Sequence, residues 1–138
     1  MCTLGQLPTR DCAADDYRQA GITDTRRELD KAEGYVPFSW YEPRWLEKLG
    51  FADEGEGWKL SEQGGTARDG AIPGDCSGGV LSTNPIGASG MIRFGEAAMQ
   101  VRGQCGDHQV DGARKALGHA YGGGAQFFAM WVVGSDKP

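Results

Sequence analysis

The stretch "ARKALGHAYGGGAQFFAMWVV", residues 113–133, decides the fold. In its first part Lys115, Leu117, His119 and Tyr121 alternate with Ala116, Gly118 and Ala120, a period of two with all the bulk on one face of a strand. The second part, "AQFFAMWVV" at 125–133, is apolar on both faces, the pattern of a strand at the centre of a sheet. With Gly122-Gly123-Gly124 between them, the two predict a hairpin over about 113–120 and 125–133, with His119 and Tyr121 leaning to one side near its turn.

Upstream, "LSTNPIGASGMIRFGEAAMQ" at 81–100 runs a small-residue turn into a helix expected over 88–103. Small residues at a helix entrance let a backbone or ligand come close, and first-turn N–H groups favour an anion or oxyanion. Met91, Phe94, Gly95 and Ala98 are expected on the helix's packed face, Arg93, Glu96 and Gln100 on its solvent face. A glycine at 95 on the packed face suggests a close neighbour.

The rest of the chain is less regular. A leader is expected at 1–9 and a tail at 135–138, with the domain between, at 10–134. Thr9 is a candidate cap for a helix over 10–20 ending at Gly21, with Cys12, Ala13, Tyr17 and Ala20 on its apolar face. "YVPF" at 35–38 reads as extended, though Pro37 keeps it from being an ordinary central strand. Ser39 and Glu42 form a possible capping box for a helix through Leu49, closed by Gly50; Pro43 as the first helical residue is the alternative start. Residues 52–79 form a polar, glycine-rich connection with one short strand at Trp58-Lys59-Leu60. Helices with a hairpin predict an α/β domain with a mixed sheet.

Composition excludes several classes. The chain has 138 residues, enough for one domain with a core, and a formal charge of −5 without a basic run, which argues against nucleic acid and anionic membranes as partners. There is no apolar run of membrane-spanning length and no signal-peptide pattern, and Cys2, Cys12, Cys76 and Cys105 lack both C-x-x-C spacing and the density of a disulfide scaffold. A cytoplasmic protein with reduced thiols is expected. Twenty-three glycines are more than twice the ~7 per cent of average usage, which points to tight turns around a site. His108, in the turn "GDHQVDG", reads as a surface histidine, and no metal site is expected.

"SGGVLSTNPIGASG" and "LGHAYGGGAQ" together resemble the C-terminal half of thiolases, which carries a "GGxx…GHPxGASG" segment and then a strand ending in "CxGGG". The resemblance covers about residues 10–134. "VDGARKALGHAYGGG" and "EKLGFADEGEGWKLSEQGGTA" look like the sterol-carrier and lipid-transfer branch. It implies a layered thiolase-like half-domain acting on acyl-CoA thioesters. This chain departs from the pattern at the chemistry-bearing positions: Asn84 stands where the family has histidine before proline, Ala120 where it has the cysteine, and Tyr35 where the lipid-transfer branch often has histidine in "HDCF". The family's nucleophilic cysteine lies in the other half.

These substitutions resemble the thiolase-like aldolases of steroid side-chain degradation, which pair with an OB-fold partner carrying a zinc ribbon. That resemblance implies retro-aldol cleavage of a β-hydroxyacyl-CoA, with Tyr121 and Tyr35 as acid–base candidates and Asn84 as a donor to the thioester oxygen. His119 is a candidate to assist the phenol, while Gly87, Ser89, Gly122 and Gly123 are candidate substrate contacts. No cofactor is expected beyond the coenzyme A thioester as substrate. A homo-oligomer or a complex with such a partner is expected, with Trp40, Trp45 and Trp131 as candidate contacts. The alternatives are a half of a thiolase-type acyltransferase, and a truncated, non-catalytic binding module.

Overall fold

The alternating segment becomes the central strand of a three-stranded mixed sheet. The computed structural model describes residues 7–136. In chain order these form α1 (Leu7–Ala20), α2 (Thr25–Glu28), β1 (Lys31–Glu33), α3 (Tyr41–Lys48), α4 (Gly57–Glu62), α5 (Gly79–Ser82), a 3-10 turn (Ile86–Ala88), α6 (Ser89–Val101), a second 3-10 turn (Gly106–His108), β2 (Lys115–Gly122) and β3 (Phe127–Gly134). The sheet order is β1-β2-β3: β1 lies parallel to β2, with Lys31 opposite Ala116, and β2 runs antiparallel to β3 from Lys115↔Gly134 to Gly122↔Phe127. A parallel neighbour requires a crossover, and everything from α3 to α6 lies within it. The outer edge of β1 is covered by the 73–75 segment, through Ala32 N–H to Pro73 O (2.9 Å) and Asp75 N–H to Ala32 O (3.0 Å).

One face of the hairpin carries the bulk. Leu117, His119 and Tyr121 stand beside Val132, Met130 and Phe128. Against this face pack Ala13, Tyr17 and Ala20 of α1 and Trp45, Leu46 and Leu49 at α3, with Phe51 and Ile72 completing the core. The Tyr17 hydroxyl donates to Leu49 O (2.8 Å), which joins the two helices. The other face is kept low because α6 lies across it. A Cβ on Gly118 would sit 1.8 Å from Trp131 Nε1, and one on Gly90 would sit 3.0 Å from the Ala120 methyl. The small residues of the alternation are therefore space for an indole and a helix.

Several expectations need correction. β3 is an edge strand, and β2 holds the centre. Although α1 packs on one face of β3 and α6 on the other, the strand is only half-buried, with Phe127 72% exposed at its start. α1 starts at Leu7, so Thr9 is a buried residue inside it rather than its cap; residues 1–6 of the expected leader lie outside the described residues. No side chain caps α3, so the Ser39–Glu42 capping box is not formed. Trp58-Lys59-Leu60 is helical, in α4, where the Gly57 N–H reaches Glu47 Oε1 (3.0 Å) and a Cβ on Gly57 would strike Pro43 O. "YVPF" at 35–38 forms no strand; the strand lies just before it, in β1.

The largest reversal is α6, which turns its polar face inward. Ser89, Arg93, Glu96 and Gln100 are buried, whereas Met91 is 72% exposed and Phe94 41%. Gly95 has open space at its Cβ position. The cause is β1, whose Lys31 and Glu33 are both fully buried. Lys31 Nζ lies 2.5 Å from Glu33 Oε1, Arg93 lies 3.2 Å from Glu33 Oε2, and the Ser77 hydroxyl donates to Glu33 Oε2 (3.1 Å). Asp75 completes the cluster 4.0 Å from Arg93 and accepts from the Gly34 N–H (2.8 Å); burial and the nearby Glu33 charge hold its carboxyl well above the usual range. A buried carboxylate without partners is costly, and α6 supplies one of them.

Two outcomes follow from this packing. Gly118→Ala should lower stability by about 1–3 kcal/mol, the scale of core overpacking, measured as a lower denaturant midpoint; an unchanged midpoint would show that the indole does not rest on Gly118. Glu33→Gln breaks the buried pairs with Lys31 and Arg93, leaving Asp75 as the remaining carboxyl of the cluster, and should cost about 3–5 kcal/mol, in the same measurement.

Candidate active site

The entrance of α6 is organised by one side-chain oxygen. Asn84 Oδ1 accepts from the Ile86 N–H (3.2 Å), the Ser89 hydroxyl (2.7 Å) and the Tyr35 hydroxyl (3.2 Å). The backbone N–H can only donate, so Oδ1 must face it, and the amide Nδ2 is the group left for a ligand. The asparagine before Pro85 thus closes a turn in which Ile86 adopts φ +51°, a left-handed conformation held in place by these bonds.

Tyr35 reaches this point from the loop after β1, fixed through both backbone polar groups. Its N–H donates to His119 Nδ1 (3.3 Å), and its carbonyl accepts from Trp45 Nε1 (2.8 Å). Tyr121, at the end of β2, meets Tyr35 edge to face with centroids 4.8 Å apart. Tyr41, Trp45 and Phe128 surround Tyr121 at 5.5–6.1 Å centroid separations. The fold therefore brings together Tyr35, Asn84, Ser89 and Tyr121, from four separate elements. Tyr41 was missed: it stacks on Trp40 (3.8 Å), and its ring lies 5.5 Å from that of Tyr121. Its signal was the aromatic density of "YVPFSWY" at 35–41.

His119 does not join them. It is fully buried, between Trp45 (4.9 Å) and Phe128 (5.8 Å), and burial pushes its pKa down to about 3, so the ring is neutral. Nδ1 accepts the Tyr35 N–H, so Nε2 carries the proton, buried without a hydrogen-bond partner among the described residues. Its visible work is to hold the Tyr35 backbone. Gly122 and Gly123 form the hairpin turn beside Tyr121, with Gly123 at φ +61°; Gly87 is exposed, with open space around its Cβ position.

The electrostatics favour donors. Burial first, then the Tyr41 and Tyr35 hydroxyls, raise the Tyr121 phenol well above its ordinary pKa, so it keeps its proton across the neutral range. The described cysteines are not poised nucleophiles: burial raises the Cys12 and Cys76 thiols and takes Cys105 up to about 11. Of the three candidate tryptophan contacts, Trp45 belongs to the core at 2% exposure, Trp40 is 59% exposed, and Trp131 is partly buried against Phe94 (5.6 Å). No helix among the described residues is long and apolar enough to cross a membrane.

The acetyl-CoA acetyltransferase of Methanothermobacter thermautotrophicus is 35% identical over 116 residues, covering 83% of this chain and 30% of that protein. Human sterol carrier protein 2 is 34% identical over 128 residues, covering 91% and 23%. The chain thus spans less than a third of the length of these relatives. An Ltp2-ChsH2(DUF35) aldolase structure shares the fold, with a TM-score of 0.81 at 24% identity over 97% of this chain and 34% of that one. The family model described as "Thiolase C-terminal domain-like" matches residues 1–135, and the chain belongs to that family.

Proposed function

We propose that this chain supplies one side of an acyl-CoA site, at which a β-hydroxyacyl-CoA undergoes retro-aldol cleavage once a second polypeptide half completes it. The observation that carries this reading is the position of Tyr35, whose ring meets the Tyr121 ring (4.8 Å) while its hydroxyl donates to Asn84 Oδ1 (3.2 Å), so that it links the end of β2 to the entrance of α6. In the reaction a base removes the substrate's hydroxyl proton, the Cα–Cβ bond breaks, and its electron pair passes to the thioester as an enolate. Asn84 Nδ2 donates to the developing oxyanion, and the protonated Tyr121 returns a proton to the α-carbon. A phenol held protonated suits that last step and not the first, so the base comes from the missing half. The thioester is substrate, and the chemistry described uses no further cofactor.

Acyl transfer is the second reading, favoured by the acetyl-CoA acetyltransferase relative. It needs an activated thiolate. Ala120 stands at the thiolase cysteine position and the described thiols are raised, so the thiolate too would have to come from elsewhere.

A second half also suits the surface. Met91, Ile92, Phe94 and Met99 of α6, with Leu81 and Ile86 just before it, are exposed apolar side chains. Such a patch marks an interaction face. The isolated chain should therefore self-associate or depend on a partner for solubility; light scattering that reports a monomer at high concentration counts against the assembly.

The catalytic test uses the complete assembly and follows release of the shortened acyl-CoA. Tyr121→Phe keeps the ring and should cost at most about 1 kcal/mol of stability, while turnover falls roughly a hundredfold or more. Asn84→Asp keeps the acceptor that Tyr35, Ser89 and Ile86 use but removes the donor, and should cost turnover on the scale of one oxyanion contact, ~10²–10³. Normal cleavage by both variants reduces the cluster to packing and leaves the non-catalytic binding module standing.

A further inference from the structure

Beyond the α6 entrance, the helix's C-terminal part carries a second cluster. Glu96 projects from α6, Cys105 precedes the 3-10 turn that follows it, and His108 is that turn's last residue. His108 Nε2 lies 3.1 Å from Glu96 Oε1, Cys105 Sγ lies 3.5 Å from the same oxygen, and the three donor atoms fall within 4.8 Å of one another. Around a tetrahedral zinc ion, bonds of about 2.0–2.3 Å set neighbouring ligand atoms roughly 3.3–3.7 Å apart. The two separations from Glu96 Oε1 lie close to that spacing, and the remaining one, within 4.8 Å, closes on metal binding.

We infer that Glu96, Cys105 and His108 form a binding site for a zinc-class divalent cation. The donor set is one thiolate, one imidazole and one carboxylate, a combination suited to a borderline-soft ion and not to magnesium or calcium. Glu96 and Cys105 are buried and His108 is half-exposed, so solvent reaches the site past His108 and water takes the fourth position. Binding forms the three metal–ligand bonds and releases the thiol proton to solvent, with no change of oxidation state.

The surroundings are built for this. Gln100, fully buried, donates to Glu96 Oε1 (3.1 Å) and to His108 O (2.9 Å), and accepts the Val110 N–H (2.8 Å). Gln109 accepts the Cys105 N–H (3.0 Å) and donates to Gln100 O (2.9 Å). Both the carboxylate and the cysteine backbone are thus oriented by second partners, as ligands of a metal commonly are. Burial opposes ionisation of Glu96, yet hydrogen bonds from Gln100, His108 and Cys105 outweigh it and hold the carboxyl below its usual range. Burial and Glu96 keep Cys105 a thiol in the metal-free protein; a divalent cation supplies the charge that frees its thiolate. The site fastens the end of α6 to the turn that leads to β2.

The test is titration of the reduced, metal-free 138-residue chain with Co2+, with Zn2+ as competitor. One equivalent of Co2+ should produce a thiolate-to-cobalt charge-transfer band that Zn2+ abolishes. Cys105→Ser should remove the band, and Cys12→Ser should leave it. His108→Asn, at a half-exposed position that spares the core, should weaken binding by more than the roughly 10–100-fold that loss of an outer-shell partner costs. Should Cys105→Ser fail to fold, Zn2+ protection of Cys105 from alkylation, read by mass spectrometry on the wild-type chain, replaces it. Absence of a stoichiometric band in the folded wild type, a band that survives Cys105→Ser, unchanged affinity in His108→Asn, or alkylation of Cys105 unaffected by Zn2+ overturns the site.

Discussion

Glu33 is the residue around which the structure is arranged. It is a carboxylate with no exposed surface, in a three-residue strand beside β2. Removing such a group from water is tolerable only if nearly every lone pair is engaged. Lys31 comes from the same strand, Ser77 from the loop before α5, and Arg93 from α6. Each is fixed by elements that the sheet must then accommodate. The helix that brings Arg93 has to present its polar side to the sheet, and its apolar side is left facing out.

That single inversion explains most of what could and could not be read in the chain. The hairpin was legible because Lys115 to Tyr121 alternate in bulk and three glycines follow. The reason for the alternation was not, since it depends on Trp131, which lies on the neighbouring strand above Gly118. The limits of α6 were close to those expected, but its orientation was reversed: a polar stripe reads as solvent-facing unless a buried partner is known. That partner, "KAE" at 31–33, has two charged residues in three and carries no strand signal of its own. Trp58-Lys59-Leu60 was too short to distinguish one period from another.

At the candidate site, Asn84, Tyr35 and Tyr121 were singled out through departures from the thiolase pattern rather than through any local motif. Their grouping is a property of the fold: the loop after β1 and the end of β2 meet because those strands are neighbours. His119 shows the reverse case. Its position beside the tyrosine made it a candidate for assisting proton transfer, yet alternation along a strand puts residues 119 and 121 on one face at different depths, and the inner one is neutral and enclosed. Tyr41 enters the cluster from the start of α3, a helix where the sequence pointed to no site residue.

The pairing of β1 with β2 also has a bearing on how the chain reaches this state. The hairpin closes over a tight glycine turn, whereas Asp30 accepts from the Arg114 and Lys115 N–H groups across separations of 84 and 85 positions. Loop closure of that length is entropically costly before any contact rewards it, and such topologies fold slowly. The ionic cluster draws its partners from β1, the loop before α5 and α6, so it loses its water only when all three are in place. During that interval Lys31, Glu33 and Arg93 remain hydrated, and the charges keep a half-built sheet edge soluble, which restrains aggregation until the strand docks.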